Sequence, residues 1–318
     1  LKLSQLGERR IIEIFARNFD RCGSEIVGIG DDAAVFAIDG ENYLVVSTDL
    51  ITQKGHMPRE MTPRQIGKYA VNVNLSDIAS MGAKPLGLLF SFGLPSDLSD
   101  EFVEEISKGV NETCKEHGTC VLGGDTKKHS EIVISGTALG KVKKDAFLTR
   151  AGAQAGDIIG VTGKIGSAAA GFYCLINNIE GGEKFIKAAL EPTARIREGQ
   201  VLAKYASSCM DISDGLAWSL HEIAKASGRG FRVIYEKIPV ESGIEQVAER
   251  SGVSPEEIIF HKGGDFELLF TASKEKFETI EKEIGVKAIG EIIEKGTIIE
   301  KDGKESILEP RGHDSFSK

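Results

Sequence analysis

Seven aspartates stand where a soluble chain usually places apolar or small residues: Asp31, Asp32, Asp49, Asp77, Asp125, Asp211 and Asp214. Asp31 and Asp32 follow Gly28 and Gly30 in "GIGDDAAVF", where the glycines allow close backbone approach to a ligand. Carboxylates repel phosphate, so this stretch is either an ordinary turn into a strand or a loop that meets phosphate through something positive. Asp49 follows the apolar run "YLVVST", which predicts a carboxylate at the end of a strand, where ligands bind in α/β folds. Asp77 lies within roughly 40° of Ile66, Ala70, Val73 and Met81 on a helical wheel, so it points with the apolar stripe. A carboxylate buried there is costly unless it is bonded to a neighbouring turn, paired, or bound to a metal.

Asp125, in "LGGDTKK", follows a strand expected to end at Leu122 and reads either as a hairpin residue or as part of a ligand loop. In "SSCMDISDGLAWSLHEIA", Asp211 ends an apolar strand and Ser213 or Asp214 is expected to cap the next helix. Capping explains one acid and leaves the other. Acids three apart across a strand-to-helix corner suit divalent ions at a phosphate-binding helix start. Oxygen-only donors select magnesium or calcium, and the lack of a D-x-D-x-D-G loop argues against an EF-hand. Magnesium held by dispersed acids points to a polyphosphate. "GVTGKIGS" at 160–167 fails as a Walker loop because Ile165 takes the Ser/Thr place, and "GGDFELLF" lacks the glycine of a protein-kinase D-F-G.

The elements that must position these acids fall into two halves, 1–145 and 146–318. Helical spacing covers Leu6 to Phe19, with Ile11, Ile12, Phe15 and Ala16 on one stripe. Short strands are expected at Ala33–Ile38 and Tyr43–Ser47, a long helix opened by Thr62 and Pro63 at Thr62–Met81, and a strand at Leu86–Phe92. A helix near 99–117 and strands near 119–122 and 132–142 complete a mixed first half. The second half opens on the glycine-rich "LTRAGAQAGDIIGVTGKIG" and reads as α/β. It has strands at 158–162, 231–235 and 267–271, helices at 167–176, 193–206 and 213–226, and a closing helix–strand set.

At 318 residues, with 41% hydrophobic and 27% charged residues, the chain suits two α/β domains. The net charge of −9 and the absence of a basic run exclude a nucleic-acid-tracking surface. Five scattered cysteines without a C-x-x-C pair suit a reducing cytoplasm. "LKLSQLGERR" has no apolar signal core and no apolar run is long enough to span a bilayer, so a cytoplasmic protein without a membrane partner is expected.

"GIGDDAAV", "STDL", Gly55–His56, "AVNVNLSDIASMGAKP", "GGDT", "LTRAGAQAGD", "DISDGL" and "GGDFELLFT" occur in this order across nearly the whole chain. Together they resemble thiamine-monophosphate kinase, in the superfamily of aminoimidazole ribonucleotide synthetase, selenophosphate synthetase and HypE. The resemblance implies ATP-dependent phosphorylation of thiamine monophosphate to thiamine diphosphate, by direct in-line transfer with magnesium. It also implies a homodimer in which the N-terminal mixed sheets pair into a barrel. By motif position, Asp32, Ser47, Thr48, Asp49, Asp77, Asp125, Asp211 and Asp214 would hold magnesium, with Asp49, Asp125 and Asp214 catalytic. Gly124, Asp125, Arg150 and Ser213 would contact ATP, and His56, Asp265, Glu267 and Phe316 would meet the thiamine substrate. One departure stands out: Gly264 takes the place of the Glu in the G-G-E-D-[FY]-E-L of many members. The alternatives are another ATP-using enzyme of the superfamily, similar to aminoimidazole ribonucleotide synthetase, and a non-catalytic magnesium- or nucleotide-binding protein.

Overall fold

The computed structural model describes residues 3–316. Six strands form the first sheet: β1 (Glu25–Val27), β2 (Ala34–Ala37), β3 (Asn42–Thr52), β4 (Lys84–Leu94), β5 (Val121–Lys128) and β6 (Val133–Lys143), in the order β1-β2-β3-β6-β4-β5. All neighbours are antiparallel except β4 and β5. Period-two alternation turns Tyr43, Val45, Ser47 and Ile51 of β3 inward, against the Pro63–Ser80 helix. That helix starts from a complete capping box, in which Thr62 and Gln65 bond each other's backbone and Pro63 occupies the first turn. The outer face of the sheet leaves Leu50, Leu86, Leu89 and Leu122 exposed.

The second sheet comprises β7 (Ile158–Val161), β8 (Ser208–Ile212), β9 (Gly230–Ile234), β10 (Glu267–Ala272), β11 (Lys287–Ile293), β12 (Thr297–Lys301) and β13 (Lys304–Ile307). Its order is β13-β12-β9-β11-β7-β10-β8, and only β9 and β12 run parallel. Edge strand β8 and its neighbour β10 are buried along their whole length. One apolar core runs without a break from Val45, Leu75 and Ile78 of the first half to Cys209, Leu268 and Phe270 of the second. The Pro63–Ser80 helix lies in this seam, and residues on nearly every side of it are buried, beyond the single stripe its sequence outlines.

Several expectations are corrected. Asp49 is no strand end: β3 continues to Thr52 because all eleven of its residues pair with β6, Asp49 opposite Gly136. Asp125 likewise lies inside β5, whose ladder with β4 carries on to Lys128. Neither Ser213 nor Asp214 caps the helix that follows. It spans Leu216–Ser227 from a Gly215 N-cap, because the Ser213 and Asp214 carbonyls accept from Gly264 and His313 of other loops, each at 2.8 Å. The helix expected at 193–206 shrinks to Ile196–Leu202; ahead of it, the Ala194 amide donates instead to Asn72 Oδ1 at 3.0 Å. The stripe of the opening helix, Glu8–Asn18, buries none of its residues. Short helices at Glu183–Leu190, Ile244–Ser251 and Pro255–His261 went unrecognised in the sequence.

Candidate active site

The acids converge from three elements and a loop. β3 contributes Ser47 and Asp49 from its inward face, the seam helix Ser76 and Asp77, β8 Asp211, and the loop before β2 Asp31 and Asp32. Ser47 Oγ donates to Asp77 Oδ2 and lies 3.3 Å from the Asp32 carbonyl. Ser76 Oγ donates to Asp211 Oδ2 at 2.6 Å, and the Asp211 amide reaches Asp32 Oδ2 at 3.4 Å. The Asp49 amide donates to Asn74 Oδ1 at 3.2 Å, which ties the middle of β3 to the seam helix. Gly30 turns the chain into this group with φ of 121°, a conformation open to glycine.

Gathering these carboxylates away from water has an electrostatic cost. Burial first, and then the neighbouring Asp211, Asp32 and Asp49, push Asp77 well above the ordinary carboxylate range. Asp211 is raised to about 8 by burial and by Asp32, and Asp49 is raised by burial. Asp31 is raised to about 6 by burial and by Asp32. Like charges held in one apolar seam titrate this way when they lack sufficient counter-charge.

Among the described residues, the cation hydrogen-bonded into this group is Arg150. Its Nε and Nη2 donate to Asp32 Oδ1 at 2.8 and 2.6 Å, and its backbone amide reaches the Asp31 carboxylate at 3.2 Å. That arrangement answers the puzzle of two acids after a glycine turn: a guanidinium lies against them. At the other end, Asp214 is raised to about 6 by burial and by Glu8, with Arg9 and His313 opposing the shift. His56 accepts from the Thr52 amide through Nδ1 at 3.1 Å, and burial lowers its pKa although Asp49 pulls it upward.

Other expected site residues lie elsewhere or are already engaged. Thr48 alternates to the outer face of the sheet, where its hydroxyl donates to the Gly136 carbonyl at 2.7 Å. Asp125 is exposed on edge strand β5 and pairs with Lys127 at 3.2 Å. Gly124 beside it has a packing reason, since a Cβ there would lie 1.8 Å from the Phe90 carbonyl. Asp265 accepts the Gly166 and Ala168 amides at 2.6 and 2.9 Å and so caps the Ser167–Asn177 helix. Burial raises its pKa to about 7, against those bonds. Glu267 is buried beneath Arg195, which donates from Nε at 2.6 Å and from Nη2, and beneath the Thr162 hydroxyl at 2.6 Å. Phe316 is partly exposed on a tail whose Asp314 bonds the Glu8 amide at 3.0 Å.

Sequence reasoning missed Ser76, Asn74, Arg195 and Arg9. A serine or asparagine on a buried helix face carries no signal of its own, and the arginines find their partners only through long-range folding. As the side chains stand, no three His, Cys, Asp or Glu among the described residues converge tightly enough to hold a metal ion unaided. The donor set nonetheless fits a hard cation, because it is all oxygen and its excess negative charge is buried. Among the described residues no helix is long and apolar enough to cross a membrane.

Comparison with known proteins places the chain in a family. Residues 30–142 match the model of the AIR synthase related protein N-terminal domain, and residues 154–302 that of the C-terminal domain. The thiamine-monophosphate kinase of Pyrococcus horikoshii is 34% identical over 303 residues, covering 95% of this chain and 94% of that protein. The thiamine-monophosphate kinase of Aquifex aeolicus is 33% identical over 320 residues, covering 99% and 100%. A solved structure described as AaThiL complexed with AMPPCP and TMP superposes with a TM-score of 0.88 at 31% identity, covering 99% of this chain and 98% of that one. With its aspartates gathered between two sheets and its likeness running through both halves, the chain belongs to the thiamine-monophosphate kinase family of AIR synthase-related proteins.

Proposed function

We propose that this protein transfers the γ-phosphoryl group of ATP to thiamine monophosphate, yielding thiamine diphosphate. The observation that carries this reading is the buried group Asp32, Asp49, Asp77 and Asp211 at the seam, in a fold that matches a relative complexed with AMPPCP and TMP along 99% of its length. Phosphoryl transfer asks for positioning and charge neutralisation more than for covalent chemistry. Magnesium, when bound, would supply that neutralisation. Asp32, Asp49, Asp77, Asp211 and Asp214 would hold it, with Ser47 orienting Asp77 and Ser76 orienting Asp211.

Arg150 is placed to grip phosphate oxygens in pairs once Asp32 turns to a metal. The attacking phosphate oxygen is already largely deprotonated at neutral pH, so no side chain need act as general base. Transfer is direct and in line, and retention of configuration at a chiral γ-phosphorus would refute it. His56 and Phe316 lie toward the thiamine end. For Asp265 and Glu267, the capping bonds and the ion pair support a role in shaping that end of the site. A cytoplasmic setting agrees with five unpaired cysteines.

The working unit is a homodimer built on the first sheet. Support comes from its uncovered outer face, with Leu50, Leu86, Leu89 and Leu122 exposed, and from the exposed edge strand β5. In that assembly Asp125 and Gly124 would stand beside the partner sheet. Light scattering on the wild type and on Leu122→Glu should show a dimer and its loss.

The reaction is tested by incubating the purified protein with magnesium, γ-labelled ATP and thiamine monophosphate. Label in thiamine diphosphate supports the kinase. Label released only as free phosphate would redirect the search to another acceptor within the superfamily.

A further inference from the structure

Between the two ends of the acidic site lies a carboxylate that no motif marks. Glu222, on the Leu216–Ser227 helix, has Oε2 3.7 Å from Arg150 Nη1 and Oε1 3.4 Å from Arg9 Nε. Arg150 continues to Asp32, and Arg9 Nη1 lies 3.9 Å from Asp214 Oδ2. Five side chains of alternating charge thus run in a row: Asp32, Arg150, Glu222, Arg9, Asp214.

The two arginines in this row are held differently. Arg150 is hydrogen-bonded to one carboxylate through two nitrogens. Arg9 instead lies 3.5 Å above the ring centroid of Trp218, and its Nε is buried without a hydrogen-bond partner among the described residues. Its contacts to Glu222 and Asp214 are charge pairs at longer range. A guanidinium presents five donors in a rigid fork, so Arg9 retains bonding capacity toward a ligand.

The position of Arg9 also runs against local preference. It is the second residue of the Glu8–Asn18 helix, where the positive end of the helix dipole disfavours a cation. Core packing does not dictate it either, because that helix buries no residue. Trp218, Glu222 and Asp214 fix the side chain instead.

We propose that Arg9 is a specificity-determining ligand for the phosphate monoester acceptor, while Arg150 serves the polyphosphate donor. The assignment of ends follows from charge. Arg150 sits with Asp31, Asp32 and Asp211, the strongly acidic end suited to a metal-loaded polyphosphate. Arg9 sits with Asp214, Glu222 and the Trp218 ring, and His313 acts on the same Asp214 as Glu8 does. That environment suits a single phosphate carried on a ring-bearing molecule, and Glu222 keeps the two cations apart and aligned. The identity of the two anions rests on the proposed reaction.

Trp218 is the single tryptophan of the chain, so its fluorescence reports on the guanidinium stacked over it. In the full-length protein with magnesium, thiamine monophosphate should change that fluorescence saturably, and unphosphorylated thiamine should not. Arg9→Ala should abolish the response and raise KM for thiamine monophosphate by about tenfold or more, the worth of a charge-assisted hydrogen bond. KM for ATP should stay within about twofold, and Arg9→Lys should recover part of the loss. The proposal is overturned if thiamine monophosphate leaves Trp218 unmoved in the wild type. It is also overturned if Arg9→Ala leaves the acceptor KM unchanged, or raises both KM values together with a lower melting temperature. An Arg9-dependent Trp218 response without turnover would uphold Arg9 as a phosphate ligand and sink the proposed reaction instead.

Discussion

Ser76 and Asp211, 135 residues apart, share a 2.6 Å hydrogen bond across the seam between the two sheets. That bond eases one carboxylate in a group that strains the fold by mutual repulsion. Asp211 titrates at about 8 in the folded chain, against a reference carboxylate near 3.9 in the unfolded one. A carboxylate raised in this way adds stability while protonated and withdraws it as pH rises from the unfolded value through the folded one. In chelator, the melting temperature should therefore fall between about pH 4 and pH 8. Saturating magnesium should flatten that slope if the acids bind it; an unchanged slope would remove them from the metal site.

Asp49 lies within the paired stretch of β3, so replacing it by Asn keeps shape and backbone bonding and removes only charge. Turnover should drop by on the order of 10² to 10³, the usual loss for one preorganised electrostatic contact. Because burial already disfavours its charge, the melting temperature without magnesium should hold or rise. Full activity in Asp49→Asn, measured with labelled ATP, would exclude it from the chemistry.

Glu267 is nearly inaccessible and is satisfied by Arg195 and Thr162. Arg195→Met should leave a buried carboxylate without its cation and destabilise the fold by about 3 kcal/mol in urea unfolding. Since Arg195 is about a third exposed, this sits at the low end for a broken buried pair. A Glu267→Gln enzyme that kept wild-type stability but bound thiamine monophosphate poorly would show that Glu267 meets substrate directly.

Gly264 has φ of 101°, and a Cβ built on it lies 3.2 Å from Phe172 Cε2. Two residues on, Phe266 itself has φ of 51°. Gly264→Glu should destabilise this chain by about 1–2 kcal/mol through the left-handed backbone alone. If its unfolding midpoint matches wild type, the loop has a second conformation that accepts a side chain.

How far the sequence revealed this site depended on the kind of signal. Asp77 was legible because a charge on an apolar helical stripe is a physical anomaly, and Thr62 with Pro63 marked the helix that carries it. Thr48 neighbours two inward residues in sequence, while the pleat turns its side chain to the opposite face. Asp265 accepts from amides 99 and 97 positions upstream, and nothing local announces such a cap. The Arg195–Glu267 pair was invisible for the same reason: 72 residues separate two ordinary charges that only the second sheet brings together.

The apolar core that runs from Val45 and Leu75 to Leu268 and Phe270 has a thermodynamic corollary. Tyr69 of the seam helix meets the Phe266 ring edge-on, with centroids 6.1 Å apart, so the two family modules share aromatic as well as aliphatic contacts. Neither half could melt alone without stripping the other of its buried face. Calorimetry should therefore record a single endotherm for a chain whose sequence divides into two modules. The aspartates stranded in that interface are held in place by the cohesion of the entire molecule.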